Sequence, residues 1–156
     1  MNQKISKLVA DLKKKYGTND PYEIASYLNV NILSIPLDDV AAGFYKLINR
    51  RKYIFLNSDI NDQTFLKVVL AHELGHATLH PKENCAFMNK HTLLLTSKIE
   101  RQANIFAAYL LIEEDILKGF EGCSWEQFNN CTGYPKELLE LWLEEREGLY
   151  GIDKMS

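Results

Sequence analysis

The segment Ala71-His72-Glu73-Leu74-Gly75-His76 constrains this chain more than any other stretch. It lies in a run from Asn61 or Asp62 to about His80 that reads as one helix, with an Asn/Asp cap at its start and Pro81 to stop it. On that helix His72 and His76 are one turn apart, so their imidazoles leave the same face. Two nitrogens so placed reach one metal ion at ~2.0–2.1 Å. Glu73 follows the first histidine and is offset around the helix. A carboxylate there reaches a water held by the metal without binding the ion itself. This is the His-Glu-x-x-His arrangement of zinc peptidases, and chance produces it in roughly one chain of this composition in a hundred. Gly75 adds a second signal. Glycine inside a helix costs about 1 kcal/mol against alanine, so another element is expected to approach the backbone there.

Zinc in a catalytic site takes three protein ligands and leaves the fourth position to water. His80 continues the series of His72 and His76, but a straight helix cannot wrap three such residues around one ion, so it reads as a packing or supporting residue below the site. His91 stands in a segment without a clear period and is a minor candidate. Glu100 is the better one. It lies 24 residues after His76, near the start of a predicted helix from about Ser97 to Leu111. Ala103 and Ala107 give that helix a small-residue side suited to close packing against the helix of His72. Asn104, one turn beyond Glu100, is placed to orient a ligand or the neighbouring backbone. Ser97-x-x-Glu100 also reads as a capping box, which would spend the carboxylate on the helix start. The histidine pair's need for a partner favours the ligand role. Two neutral histidines and one carboxylate would leave the centre at net +1, enough to acidify a water towards neutral pH.

The rest of the chain gives the setting. Its 156 residues, 46% hydrophobic and 25% charged, suit one domain with a core that needs no disulfide staples. Ile5, Leu8, Val9 and Leu12 have the spacing of an amphipathic helix, and Asp20, Pro21 and Glu23 open a second, short one. Val30 to Ile35 reads as a strand. Gly43–Ile48 and Lys52–Leu56 read as a hairpin around Asn49-Arg50-Arg51. After the two metal-site helices, Ser124 and Gln127 pair as a capping box for a helix ending near Gly133, and Pro135 opens a last one. Helices, a small sheet and helices again make the class α+β. Trp125, Phe128, Tyr134, Leu138 and Trp142 are expected to close the core.

The net charge of −3 divides unevenly, with +2 on residues 1–80 and −5 on residues 81–156. The acidic excess reads as solvated helix faces. Such a balance argues against a dedicated nucleic-acid binder, and Arg50, Arg51 and Lys52 form only a short basic tip. Cys85, Cys123 and Cys131 have no metal-binding spacing and read as reduced, buried apolar residues of a cytoplasmic protein. No apolar stretch approaches the ~20 residues of a membrane span; Leu93, Leu94 and Leu95 form one short apolar run. The lysine-rich start, without an apolar region, does not read as a signal peptide.

His72-Glu73-Leu74-Gly75-His76, followed by Glu100-x-x-Ala103-Asn104-x-Phe106-Ala107, resembles the ImmA/IrrE-type metallopeptidases of phages, mobile elements and bacteria. The likeness covers most of the chain. It implies a small zincin-like (gluzincin) domain of α+β class: a three-stranded, mainly antiparallel sheet, the two metal-site helices packed beside it, and a helical C-terminal tail. Within one metallopeptidase domain over 1–156, residues 1–60 would form the N-terminal helices and sheet, 61–111 the metal-binding helices and 112–156 the tail. The resemblance implies zinc on His72, His76 and Glu100, Glu73 as catalytic acid/base, and cleavage of a helix-turn-helix repressor of a phage or mobile element. The partner would be protein, with no direct nucleic acid and no membrane. One departure is Ile112-Glu113, where the family often has Met-Pro. The alternative function is a non-cleaving antirepressor that sequesters the repressor; intact Glu73 favours the enzyme. Tyr53, His91 and Tyr109 are chemically suited to steady an oxyanion, and an extended substrate could add along the hairpin's free edge.

Overall fold

A computed structural model describes residues 2–83, 97–119 and 122–150. Cys85, His91 and Leu93 to Leu95 lie outside the described residues. The order is α1 (Asn2–Tyr16), α2 (Pro21–Tyr27), β1 (Val30–Ile35), β2 (Gly43–Ile48), β3 (Arg51–Asn57), α3 (Gln63–Leu79), α4 (Lys98–Leu111), α5 (Glu114–Gly119), α6 (Trp125–Thr132) and α7 (Lys136–Tyr150).

Local chemistry sets most boundaries. Asp20 caps α2 by accepting from the Tyr22 amide, with Pro21 at the first helical position, where its missing N–H leaves no bond unmade. Asp62 caps α3 through the Phe65 amide. Ser124 and Gln127 form the reciprocal capping box of α6, which ends at Gly133 in the left-handed conformation, φ 75°. Ile5, Val9 and Leu12 of α1 are buried, as the helical spacing requires.

The sheet is mixed rather than mainly antiparallel. Its order is β1-β3-β2, with β3 antiparallel to β2 and parallel to β1. The reason is topological. The hairpin folds its second strand back into the gap beside β1, so residues 36–42 must span two inter-strand spacings, about 10 Å, from β1 to β2. Asn57 organises that crossing: its Nδ2 donates to the Asp38 and Ala41 carbonyls, and its Oδ1 accepts from the Leu37 and Asp59 amides. The hairpin turn is tighter than the three residues expected, because Arg51 pairs with Ile48. Asn49 and Arg50 alone turn the chain, both at positive φ, as a twist-matched two-residue turn demands.

Helix α3 is buried over nearly its whole length, from Leu66 through Ala77 apart from Lys67. It packs against β2 and β3 and against α4, with α2 also touching it. Tyr45, Ile54 and Leu56 are buried with it in the core, while Phe44 and Phe55 stack at 4.7 Å and are half-buried. Helix α4 is held in turn by α1 and α7. Phe128, Tyr134, Leu138 and Trp142 join the core and Trp125 packs against it. Cys123 and Cys131 do not: Cys123 is half-buried and Cys131 exposed. Phe128 is the one fully buried residue of the two-turn helix α6, and Cys131 lies on its exposed side.

Candidate metal centre

Three ionisable residues, His72, Glu73 and His76, interrupt the apolar interior of α3, and all three are wholly buried. Buried polar groups need partners, and α4 supplies them to the two histidines. The Glu100 carboxylate places Oε2 2.9 Å from His72 Nε2 and Oε1 3.1 Å from His76 Nε2. The two Nε2 atoms are themselves 3.1 Å apart. Ligands held ~2.0–2.1 Å from a tetrahedral zinc would lie ~3.3 Å from one another. The three donors therefore converge as a metal's ligands do, and among the described residues they form the one His/Cys/Asp/Glu group able to hold an ion. Their chemistry, two imidazoles and a carboxylate, suits zinc. Among the described residues, Glu100 Oε2 and the other ring nitrogen of His76, Nδ1, are buried without a well-aligned hydrogen bond.

Close approach of α3 and α4 makes this convergence possible. A Cβ on Gly75 would lie 3.1 Å from Ala103 Cα, from Ala103 O and from Phe106 Cβ. The glycine in α3 thus faces the backbone of α4, answering the signal in the sequence. Ser97 makes no side-chain cap bond, so Glu100 is turned towards the histidines and not spent on a capping box. One turn along α4, buried Asn104 sets its Oδ1 2.6 Å from His72 Nδ1.

The electrostatics separate the two carboxyls. Burial alone would raise the Glu100 pKa, but hydrogen bonds to His72 and His76 and their charges overturn that and hold it at about 2. Glu73 moves the other way. Burial, then the nearby charge of Glu100, push its pKa well above the usual carboxylate range, against a smaller pull from the Tyr45 backbone. Among the described residues, neither Glu73 oxygen has a well-formed hydrogen bond. Burial lowers the His76 pKa, partly opposed by its bond to Glu100. One side of the cluster therefore favours a charged carboxylate at Glu100, and the other keeps at Glu73 a carboxyl able to hold a proton.

None of the other candidates among the described residues is one of the three converging donors. His80 ends α3, its amide donating to the His76 carbonyl and its ring 6.2 Å from that of His76. Tyr53 is on β3 with its ring 6.3 Å from that of Phe55. Tyr109 lies nine residues beyond Glu100, about 13 Å along the helix axis, and its carbonyl accepts from Lys13 Nζ at 2.9 Å. Two supports escaped the sequence. Tyr45 on β2 brings backbone beside Glu73, and Lys52 on β3 donates to the Ala77 carbonyl at 2.7 Å. The second left a trace: Pro81 stands four residues after Ala77 and has no N–H to offer that carbonyl.

Comparisons with known proteins agree with the motifs. Residues 25–125 match the peptidase-family model described as the IrrE N-terminal-like domain. "Uncharacterized immunity region protein 2" of Bacillus phage phi105 is 40% identical over 141 residues, covering 88% of this chain and 87% of that protein. "Metallopeptidase ImmA" of Bacillus subtilis (strain 168) is 32% identical over 143 residues, covering 88% of this chain and 82% of that protein.

Proposed function

This chain belongs to the peptidase family of the IrrE N-terminal-like domain, and from that membership we propose that it is a zinc-dependent endopeptidase that cuts a helix-turn-helix repressor of a phage or mobile element. The observation that carries the reading is the convergence of His72, His76 and Glu100, with Glu73 buried beside them. Those three residues would hold the ion, which would supply Lewis acidity for acidifying a water and polarising the scissile carbonyl.

The chain's own residues do the rest. Glu73 takes the proton of the attacking water and returns it to the leaving amine, and burial shifts its pKa upward, the direction such an acid/base needs. Strand β2 is an edge of the sheet, and its Tyr45 backbone lies beside Glu73. An extended substrate segment adds along this edge through main-chain hydrogen bonds, which brings a peptide bond past the carboxylate. A protein substrate fits such an edge, and the phage relative's name, which refers to an immunity region, supports a repressor as that protein.

The test is purified protein mixed with the repressor encoded beside it, with and without chelator. Discrete fragments that vanish with chelator are expected. Glu73→Gln should keep its zinc and lose cleavage; full activity in that variant overturns the acid/base role. A stable complex with intact repressor would replace the peptidase by an antirepressor.

A further inference from the structure

Among the described residues, strand β2 pairs with β3 alone, so one side of its backbone lacks a ladder. A strand held on one side shifts or frays more easily than a central one unless something else fixes it. Two contacts lock this hairpin to α3. Gly43 opens β2 against Val69, where an added Cβ would come within 2.7 Å of the valine Cγ1. Towards the other end, Leu47 pairs with Lys52, whose Nζ donates to the Ala77 carbonyl at 2.7 Å. Val69 and Ala77 stand one helical turn before and one turn after Glu73. From Gly43 to Leu47 a strand rises about 13 Å, and from Val69 to Ala77 a helix rises about 12 Å. The two spans match. The middle of the strand stretch, Tyr45, therefore comes level with the middle of the helix stretch, Glu73.

Tyr45 adds a third tie. It is buried in the core, at 2% exposure, and a buried phenol needs an acceptor. Its Oη donates to the Pro81 carbonyl at 2.6 Å, just beyond the end of α3. The edge-strand residue level with Glu73 is thus anchored, through its own side chain, to the exit of the helix that carries Glu73. We propose that Tyr45 is a positioning residue: its hydroxyl, with the Lys52 ammonium, fixes the height of β2 along α3 and so selects which peptide bond of a substrate added to that edge lies at Glu73. The inference rests on the peptidase reading of the site. Phenylalanine would fill the same space in the core, so its substitution isolates the tie from the packing.

The experiment compares the native chain, Tyr45→Phe and Lys52→Met, each loaded with zinc, on the repressor encoded beside it, with the products identified by mass spectrometry. A misplacement of about 1 Å can cost about 100-fold in rate. Each variant is therefore expected to lose ~10- to 100-fold in kcat, with KM within about twofold of native. New cuts should appear at bonds next to the native one. Lys52 is half-buried, so its variant carries the test if the core substitution does not fold. A purely structural role would lower the melting temperature and leave kcat and the products of the folded enzyme unchanged. The second readout needs no activity. In metal-free protein the β2 amides should exchange with solvent about tenfold faster in Tyr45→Phe than in the native chain, with those of α3 unchanged. Native products at native kcat in both variants, or equal exchange of β2, would each overturn the proposal. A native chain that leaves the repressor whole would instead overturn the peptidase reading, and the selection of a bond with it.

Discussion

At the scale of single residues, Glu73 stands out as a carboxyl kept from water and, among the described residues, without a well-formed hydrogen bond. Its folded pKa is raised, so the protonated form suits the fold. Its contribution to stability is full below the ordinary carboxylate range and falls as pH rises towards the folded value. Glu73→Gln removes that dependence. In metal-free protein, the variant's stability relative to the native chain should therefore grow from about pH 5 to about pH 8. Urea unfolding at the two pH values checks this, and a gap that shrinks as pH rises would contradict it. Glu100 has the opposite sign. Its pKa is lowered to about 2, so its contribution is present above the ordinary carboxylate range and is lost as pH falls through about 2. His-Glu-x-x-His was legible because its spacing is local. The split between the two carboxyls was not, because burial and the distance to Glu100 come from another helix.

Among the elements, the contact of α3 with α4 decides whether a site exists at all. Gly75→Ala would gain about 1 kcal/mol in intrinsic helix preference. Against that, its Cβ would meet α4 backbone atoms at 3.1 Å, which a side-chain shift cannot relieve, and overpacking of this kind costs about 1–3 kcal/mol. The expected net effect is a loss of about 1 kcal/mol, read from the denaturation midpoint. Zinc affinity should fall too, since the histidines and Glu100 sit on opposite sides of that contact. An unchanged midpoint and affinity would mean that the helices part freely. Most element boundaries were readable from caps and breakers: Asp20-Pro21, Asp62, Pro81 and the Ser124–Gln127 box all act as their chemistry predicts. The parallel pairing of β1 with β3 was not, because a strand carries no local mark of which neighbour it will choose.

For the whole molecule, a metal held by His72, His76 and Glu100 would couple binding to stability, because those residues join two helices of one core. Zinc at 100 times its dissociation constant should stabilise the fold by ~2.7 kcal/mol, seen as a rise in melting temperature that a chelator reverses. Glu100→Ala should abolish most of that rise; an undiminished one would remove Glu100 from the ligand set. By itself the sequence determined the chemistry that one turn of helix can encode: two imidazoles on a face, a carboxylate beside them, a glycine awaiting a neighbour and a second acid-bearing helix 24 residues on. Spacing along a helix is set by backbone geometry and survives in any context. Only the tertiary structure decided that Glu100 leaves its helix cap for the histidines, that Asn104 backs His72, and that β2 brings its edge to Glu73. Those facts are distances between segments far apart in the chain. They are set by how α3 is enclosed between sheet and α4, which no local pattern records.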